Sequence, residues 1–170
     1  MKIKTELATF AMGCFWQPDY VFSKVQGIIS TRVGYTGCNS ECKNPSYEDV
    51  CSETTGCAEA IEITFDPKKI TYNELLDIFW KNHDPTQMNQ QGPDYGSQYR
   101  SAIFYHSEQQ KKQVMASKAK WELKLMDKSS KIVTQIVQAS TFYEAEDYHQ
   151  KYLTKTGRAC HISRSPFKTQ

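Results

Sequence analysis

Short stretches rich in β-branched and aromatic residues recur along the chain and predict five strands. Ile3 to Met12 and Glu59 to Phe65 alternate between apolar and polar residues, a pattern typical of strands with one buried face. Ile28 to Tyr35 is rich in β-branched residues and is bounded by glycines. Two shorter strands are predicted further along, at Ser101 to Tyr105 and at Ile132 to Val137.

Apolar residues at helical spacing lie between these strands. The clearest helix is Tyr72 to His83, because Thr71-Tyr72-Asn73-Glu74 is a capping-box pattern and the apolar residues that follow it would face a core. Three further helices are predicted: Phe15 to Lys24, a long charged helix from Ser107 to about Asp127, and Glu144 to Tyr152.

The alternation of strands and helices indicates the fold class. We expect an α+β protein, a two-layer α/β sandwich with a mixed sheet and a ferredoxin-like core. A chain of 170 residues buries one ordinary core, so residues 1–170 are predicted to form a single domain. Residues 153–170 read as an irregular, mobile tail that carries Cys160.

Charge and hydropathy exclude some classes of partner. The net charge of +2 comes from interspersed acidic and basic residues, so no basic stripe predicts nucleic-acid binding. No apolar run approaches the ~18 residues of a membrane helix. The apolar run Leu7 to Met12 follows Glu6 and is shorter than the usual signal-peptide core of about 7 to 15 residues. We therefore expect a cytoplasmic protein.

Six cysteines are the most unusual feature of the composition. Without a signal peptide a static disulfide framework is not expected, which leaves catalysis, redox cycling or metal binding. Cys14 falls between a predicted strand and a predicted helix, where free backbone N–H groups favour a thiolate. Gly13 permits a tight turn, and Phe15 and Trp16 could form an apolar wall for a methyl group. From composition alone, a small buried cysteine among core aromatics is the favoured interpretation.

Gly13-Cys14-Phe15-Trp16 resembles the signature of the A-type peptide methionine sulfoxide reductases, and the resemblance continues in family order to about Ile162. The matching blocks are Val33-Gly34-Tyr35-Thr36-Gly37, Asn44-Pro45-Ser46-Tyr47, Glu48-Asp49-Val50-Cys51, Ala58-Glu59-Ala60, Asn82-His83-Asp84-Pro85-Thr86-Gln87, Gly96-Ser97-Gln98-Tyr99-Arg100-Ser101 and Ala145-Glu146-Asp147-Tyr148-His149-Gln150.

The resemblance implies the chemistry of the site. Cys14 would attack the sulfoxide sulfur, and Glu59 would be the acid that protonates the oxygen. The hydroxyls of Tyr47 and Tyr99 would stabilise that oxygen as the bond breaks. The substrate would be bound by Phe15, Trp16 and Asp94. His83 and His149 are expected to be structural.

The resemblance also implies a catalytic cycle. Cys14 would become a sulfenic acid, and Cys160 would condense with it to a disulfide that thioredoxin reduces. Many family members carry a second C-terminal cysteine, which this chain lacks. The implied substrate is the S-epimer of methionine sulfoxide, free or in proteins. No cofactor and no metal are expected, and the chain is expected to act as a monomer.

Two departures from the family pattern stand out. Gln17-Pro18-Asp19 replaces the usual Gly and Glu, and Cys57 stands where the family has His. Four cysteines, Cys38, Cys42, Cys51 and Cys57, lie within about twenty positions and could hold a structural zinc, although only Cys38 and Cys42 have the usual ligand spacing. Some of them could instead compete with Cys160 as the resolving thiol. A zinc-stabilised binding module and a thiol peroxidase remain as rival functions.

Overall fold

The computed structural model describes residues 4–159 and 165–168, and two sheets organise that part of the chain. The larger sheet has six strands in the order β7-β6-β1-β3-β2-β8, and a two-stranded hairpin, β4-β5, stands apart. The strands are β1 (Glu6–Met12), β2 (Ile28–Thr36), β3 (Ala58–Phe65), β4 (Gln90–Gln91), β5 (Asp94–Tyr95), β6 (Ser101–Tyr105), β7 (Gln135–Gln138) and β8 (Tyr143–Glu144).

The described residues form five α-helices, and the first four lie between strands in the sequence. They are α1 (Trp16–Phe22), α2 (Tyr47–Cys51), α3 (Tyr72–Lys81), α4 (Glu108–Glu122) and α5 (Tyr152–Thr156). Thr71 caps α3 through its hydroxyl while Glu74 bonds back to the cap, as the sequence pattern predicts.

The inner four strands explain the ferredoxin-like arrangement. β6, β1, β3 and β2 are neighbours in that order and all pair antiparallel, with α1 between β1 and β2 and α3 between β3 and β6. β7 adds to β6 in parallel, which makes the sheet mixed. The predicted α+β class and mixed sheet are confirmed.

Alternation along β1 and β3 places the core on one face of the sheet. Phe10 faces Phe79 of α3 with ring centroids 5.2 Å apart, and Ile61 and Ile63 are fully buried in the same cluster. Because side chains alternate with a period of two, Cys57 and Glu59 lie on the same face of β3 as Ile61. The strand therefore directs a carboxyl group toward the helix-covered side of the sheet.

The predicted helix from Glu144 to Tyr152 is wrong. Tyr143–Glu144 pairs with the edge of β2, a 3₁₀ turn spans Asp147–His149, and α5 begins only at Tyr152. The side chain of Gln150 bonds both backbone groups of Val33, at 2.9 Å each. This segment therefore satisfies the open edge of the sheet, and its tertiary contacts override its helical spacing. The short helix α2 was not predicted.

The described parts of the tail are anchored. Lys151 and Asp19 form a 2.6 Å ion pair at the start of α5, and the Asp19 carboxylate is fully buried. Further on, Phe167 packs edge-on against Trp121 with ring centroids 4.8 Å apart. The backbones of Pro166 and Lys168 bond to Met126 and Lys124, just after α4. None of the described helices has the length and apolar character needed to cross a membrane.

Candidate active site

The turn between β1 and α1 exposes Cys14. Gly13 has φ +89°, in the region that favours glycine, and Phe15 is the N-cap residue of α1. Cys14 is half-buried, while Phe15 is only 1% exposed. The turn therefore holds the thiol at the protein surface, while the next residue, Phe15, is packed in the core.

Gly13 is required by space as well as by conformation. A Cβ atom there would lie 2.6 Å from Cβ of Gln91, whose side-chain amide exchanges two 2.9 Å hydrogen bonds with the backbone of Asp84. Because Gln91 is buried and held by these hydrogen bonds, its side chain cannot move away to make room.

We expect Gly13→Ala to lower the free energy of unfolding by about 2–4 kcal/mol, because left-handed strain and steric overlap add. Urea unfolding measures this change. Gly157→Ala is the matched control, because Gly157 also has positive φ, +65°, but nothing within 4 Å of its Cβ position; it should cost about 1 kcal/mol. Equal losses in both variants would contradict the steric argument.

Glu59 is attached to the residue that follows the thiol. Its carboxylate accepts a 3.1 Å hydrogen bond from the backbone N–H of Phe15 and a 3.3 Å bond from the amide of Gln98. Glu59 is 1% exposed, and burial raises the pKa of its carboxyl to about 8 despite these two hydrogen bonds. At neutral pH the group is mostly a carboxylic acid that can give up a proton.

The two tyrosines share the electrostatic environment of Glu59. Burial, and then the negative charge of Glu59, raises the pKa of Tyr99, and the charges of Asp94 and Cys14 add to this. Burial also raises the pKa of Tyr47, with contributions from Cys51 and Glu59. Both phenols stay protonated at neutral pH. The structure thus brings Cys14, Glu59, Tyr47, Tyr99 and Asp94 into one cluster.

A cleft of about 250 Å³ opens beside the thiol. Cys14, Trp16 and Asp94 line it together with Tyr152 and Arg158. The rings of Trp16 and Tyr152 stack with centroids 3.8 Å apart. Phe15 does not line this cleft, because its ring is buried against Tyr35 and His149.

Sequence reasoning missed the positioning role of His149. The indole N–H of Trp16 donates to its Nδ1 at 3.0 Å, so in the neutral ring the proton sits on Nε2, 3.6 Å from Glu146. Burial lowers the pKa of His149, which keeps it neutral. Glu146 also accepts hydrogen bonds from the backbone of Tyr47 and the hydroxyl of Tyr35. These contacts fix Trp16 and Tyr47 at the site.

His83 lies in the core and plays a different part. Its Nδ1 donates to the Phe79 carbonyl at 2.7 Å, and Nε2 accepts from Ser101 at 2.8 Å. Burial lowers its pKa to about 4. Gln98 is the other residue that the sequence did not single out, although it bonds Glu59 and lies 3.6 Å from Sγ of Cys51.

The remaining cysteines do not form one tetrad. Cys38 is joined to Cys57 by a disulfide, and Cys42 lies beside them, whereas Cys51 lies at Gln98. The bond exists because Cys38 lies two residues after the end of β2 and Cys57 directly precedes β3, and these strands pair antiparallel up to Thr36 and Ala58. The predicted resolving residue Cys160 lies outside the described residues.

Comparison with known proteins decides the family. A family model described as "Peptide methionine sulfoxide reductase" matches residues 6–170. The chain belongs to the peptide methionine sulfoxide reductase family. Peptide methionine sulfoxide reductase MsrA of Methanothermobacter thermautotrophicus is 52% identical over 160 residues, which cover 94% of this chain and 93% of that protein. Members of this family reduce methionine sulfoxide, so the chain is an oxidoreductase acting on that group, as the sequence predicts.

Solved structures of one peptide methionine sulfoxide reductase relative agree with the fold. Mxr1 from Saccharomyces cerevisiae in reduced form superposes with a TM-score of 0.87 at 38% identity, over 95% of this chain and 93% of that chain. Mxr1 in complex with Trx2 superposes with a TM-score of 0.62 at 28% identity, over 97% and 94%. The six-stranded mixed sheet is therefore the family fold.

Proposed function

We propose that this enzyme reduces the S-epimer of methionine sulfoxide, free or in proteins, by attack of Cys14, and that Cys160 and thioredoxin complete the cycle. The observation that carries the proposal is the bond from the Phe15 N–H to Glu59, at 3.1 Å. Through it, a buried acid with a pKa near 8 is attached to the residue next to the thiol. The nucleophile thus lines the small cleft, and the proton donor is hydrogen-bonded to the residue next to it.

In the first step the Cys14 thiolate attacks the sulfoxide sulfur while Glu59 gives its proton to the oxygen. The hydroxyl then passes to the Cys14 sulfur as the S–O bond and the transient S–S bond to the substrate break, and the products are methionine, the Cys14 sulfenic acid and the Glu59 carboxylate. Protonation matters because oxide is a very poor leaving group, whereas the sulfenic hydroxyl is neutral. Tyr47 and Tyr99, both protonated, would donate hydrogen bonds to the oxygen as negative charge develops on it.

The cleft would hold the rest of the substrate. Trp16, fixed by His149 and stacked on Tyr152, offers an apolar face for the methyl group. Asp94 lies on the opposite hairpin and lines the same cleft, where its carboxylate would bind the substrate's backbone N–H. Phe15 would act indirectly, because its buried ring supports the turn that carries the thiol.

In the second step Cys160 would condense with the sulfenic acid, forming a disulfide and releasing water. Support comes from Ala159, the residue before Cys160, which lines the cleft beside Cys14. A dithiol protein would then reduce the disulfide and become oxidised itself. Thioredoxin suits this role because its reduction potential is low, and the yeast relative has been crystallised with Trx2. One chain supplies every residue, which favours a monomer, and the free thiols suit the cytoplasm.

The first experiment mixes the fully reduced protein with stoichiometric methionine S-sulfoxide in the absence of reductant. One methionine should form per chain, and peptide mass mapping should find Cys14 joined to Cys160. No methionine would exclude Cys14 chemistry of this kind.

Cys160→Ser should form one methionine per chain and then stop when thioredoxin is the donor, because the sulfenic acid has no partner thiol. Turnover with thioredoxin should fall at least 100-fold, while the first turnover keeps its rate. Cys51→Ser is the matched control and should cycle normally. If Cys160→Ser cycles and Cys51→Ser does not, Cys51 is the resolving thiol.

A further inference from the structure

Three sulfur atoms lie together at residues that do not line the cleft. Sγ of Cys38, Cys42 and Cys57 all lie within 4.8 Å of one another, and Sγ of Cys42 is 3.7 Å from Sγ of Cys57. We call these residues the three-thiol cluster. Nothing in the proposed reduction of methionine sulfoxide uses them. Cys57 is buried, while Cys38 and Cys42 are half-buried.

Hydrogen bonds hold the cluster together without help from the disulfide. The backbone N–H of Asn39 donates to the Thr55 carbonyl at 2.8 Å, and its side-chain amide donates to the Thr54 carbonyl at 3.2 Å. The Tyr143 hydroxyl donates to the carbonyl of Cys42 at 3.2 Å. The two segments that carry the cysteines are therefore joined by polar contacts as well as by sulfur, and they should stay together after reduction.

The spacing of the sulfurs matches a metal site. Zinc–thiolate bonds of about 2.3 Å place neighbouring sulfurs of a tetrahedral site about 3.8 Å apart. Cys42 and Cys57 already have this separation, at 3.7 Å. Cys38 would have to move away from Cys57 once the bond is broken, and it lies in the loop between β2 and Cys42. Cys38 and Cys42 also have the usual spacing of a ligand pair.

We propose that the reduced three-thiol cluster is a binding site for Zn²⁺. A dithiol reductant gives two electrons and two protons to the Cys38–Cys57 disulfide and becomes a disulfide itself. Zn²⁺ then displaces the thiol protons and is bound by three thiolates, with water in the fourth position. Oxidation removes two ligands at once, so metal binding is controlled by the redox state of this one bond.

The test uses the full-length protein, reduced with a phosphine, freed of reductant without oxygen, and titrated with Zn²⁺ against a chelating dye. One Zn²⁺ per chain should bind. Co²⁺ in its place should give sulfur-to-metal charge-transfer absorption, which identifies thiolate ligands independently of activity. Cys42→Ser should weaken Zn²⁺ binding at least tenfold, and so should prior oxidation of the wild-type protein to the Cys38–Cys57 disulfide.

Cys14→Ser and Cys51→Ser are the controls and should bind Zn²⁺ as the wild-type protein does. Absence of stoichiometric binding to the reduced protein would overturn the proposal and leave the cluster as a disulfide site only. Binding that survives in Cys42→Ser but disappears in Cys14→Ser would also overturn it, because the metal would then lie in the active site. Circular dichroism of Cys42→Ser checks that the variant is folded.

Discussion

Cys14→Ser should form no methionine from methionine sulfoxide with any reductant. The hydroxyl is nearly isosteric with the thiol, so the turn at Gly13 and the helix that follows should be unchanged. A serine hydroxyl is far harder to ionise than a thiol, so it is a much weaker nucleophile at neutral pH. Rapid-quench detection of methionine in a single turnover measures the loss directly, since it does not depend on the resolving thiol or on thioredoxin.

Cys51→Ser provides the matched control for this experiment. Cys51 is a second cysteine near Glu59, because the Gln98 amide bonds that carboxyl and its Nε2 lies 3.6 Å from Sγ of Cys51. The variant should keep its first-turnover rate to within about twofold. Methionine formed by Cys14→Ser, together with none from Cys51→Ser, would reassign the nucleophile.

Glu59→Gln should slow the first turnover by about 10²–10⁴-fold at pH 7, the usual range for a lost general acid. An amide can keep the hydrogen bond from Phe15 but has no proton to give. The wild-type rate should fall as the pH rises through about 8, because the acid is lost there. The rate of Glu59→Gln should lack that inflection, and an unchanged inflection would assign the titration to another group.

The same substitution should stabilise the fold at alkaline pH. The pKa of Glu59 is raised in the folded protein, so the folded state binds a proton that the unfolded state releases above pH 4.5. Stability from this group is therefore present at low pH and is lost as the pH rises toward 8. Between pH 5.5 and 8.5 this amounts to about 3 kcal/mol. In urea unfolding, the free energy of unfolding of Glu59→Gln should change over this pH range by about 3 kcal/mol less than that of the wild-type protein. An equal change in both proteins would mean that Glu59 is ionised at neutral pH.

Some features of this site could be predicted from sequence patterns, and others could not. The period-two alternation predicted strand β3, and the family block around Glu59 predicted that this residue is the general acid. Neither pattern predicts that Glu59 is buried, and burial is what raises the pKa of its carboxyl. Burial arises because Phe15 and Gln98, 44 and 39 residues away in sequence, close over the carboxyl. Local patterns cannot report contacts of that range.

The two predictions that the structure corrects failed for the same reason, because each depends on contacts between distant parts of the chain. Apolar spacing predicted a helix from Glu144 to Tyr152, but Gln150 and Tyr143 are bonded to the edge of β2, which the local pattern does not contain. Likewise, counting cysteines suggested a set of four. The pairing of β2 with β3 selects Cys38, Cys42 and Cys57, and the short helix α2 carries Cys51 to a different place.

Anchoring of the C-terminal segment has a kinetic consequence. Leu153 and Phe167 are both buried, and Cys160 stands midway between them, seven residues from each. A stretch of seven residues spans at most about 25 Å, so the covalent chain alone limits how far a cysteine at that position can lie from either anchor. Such tethering gives an effective concentration in the millimolar range. Disulfide formation with Cys14 would then be first order in enzyme, at the same rate in dilute and in crowded solution.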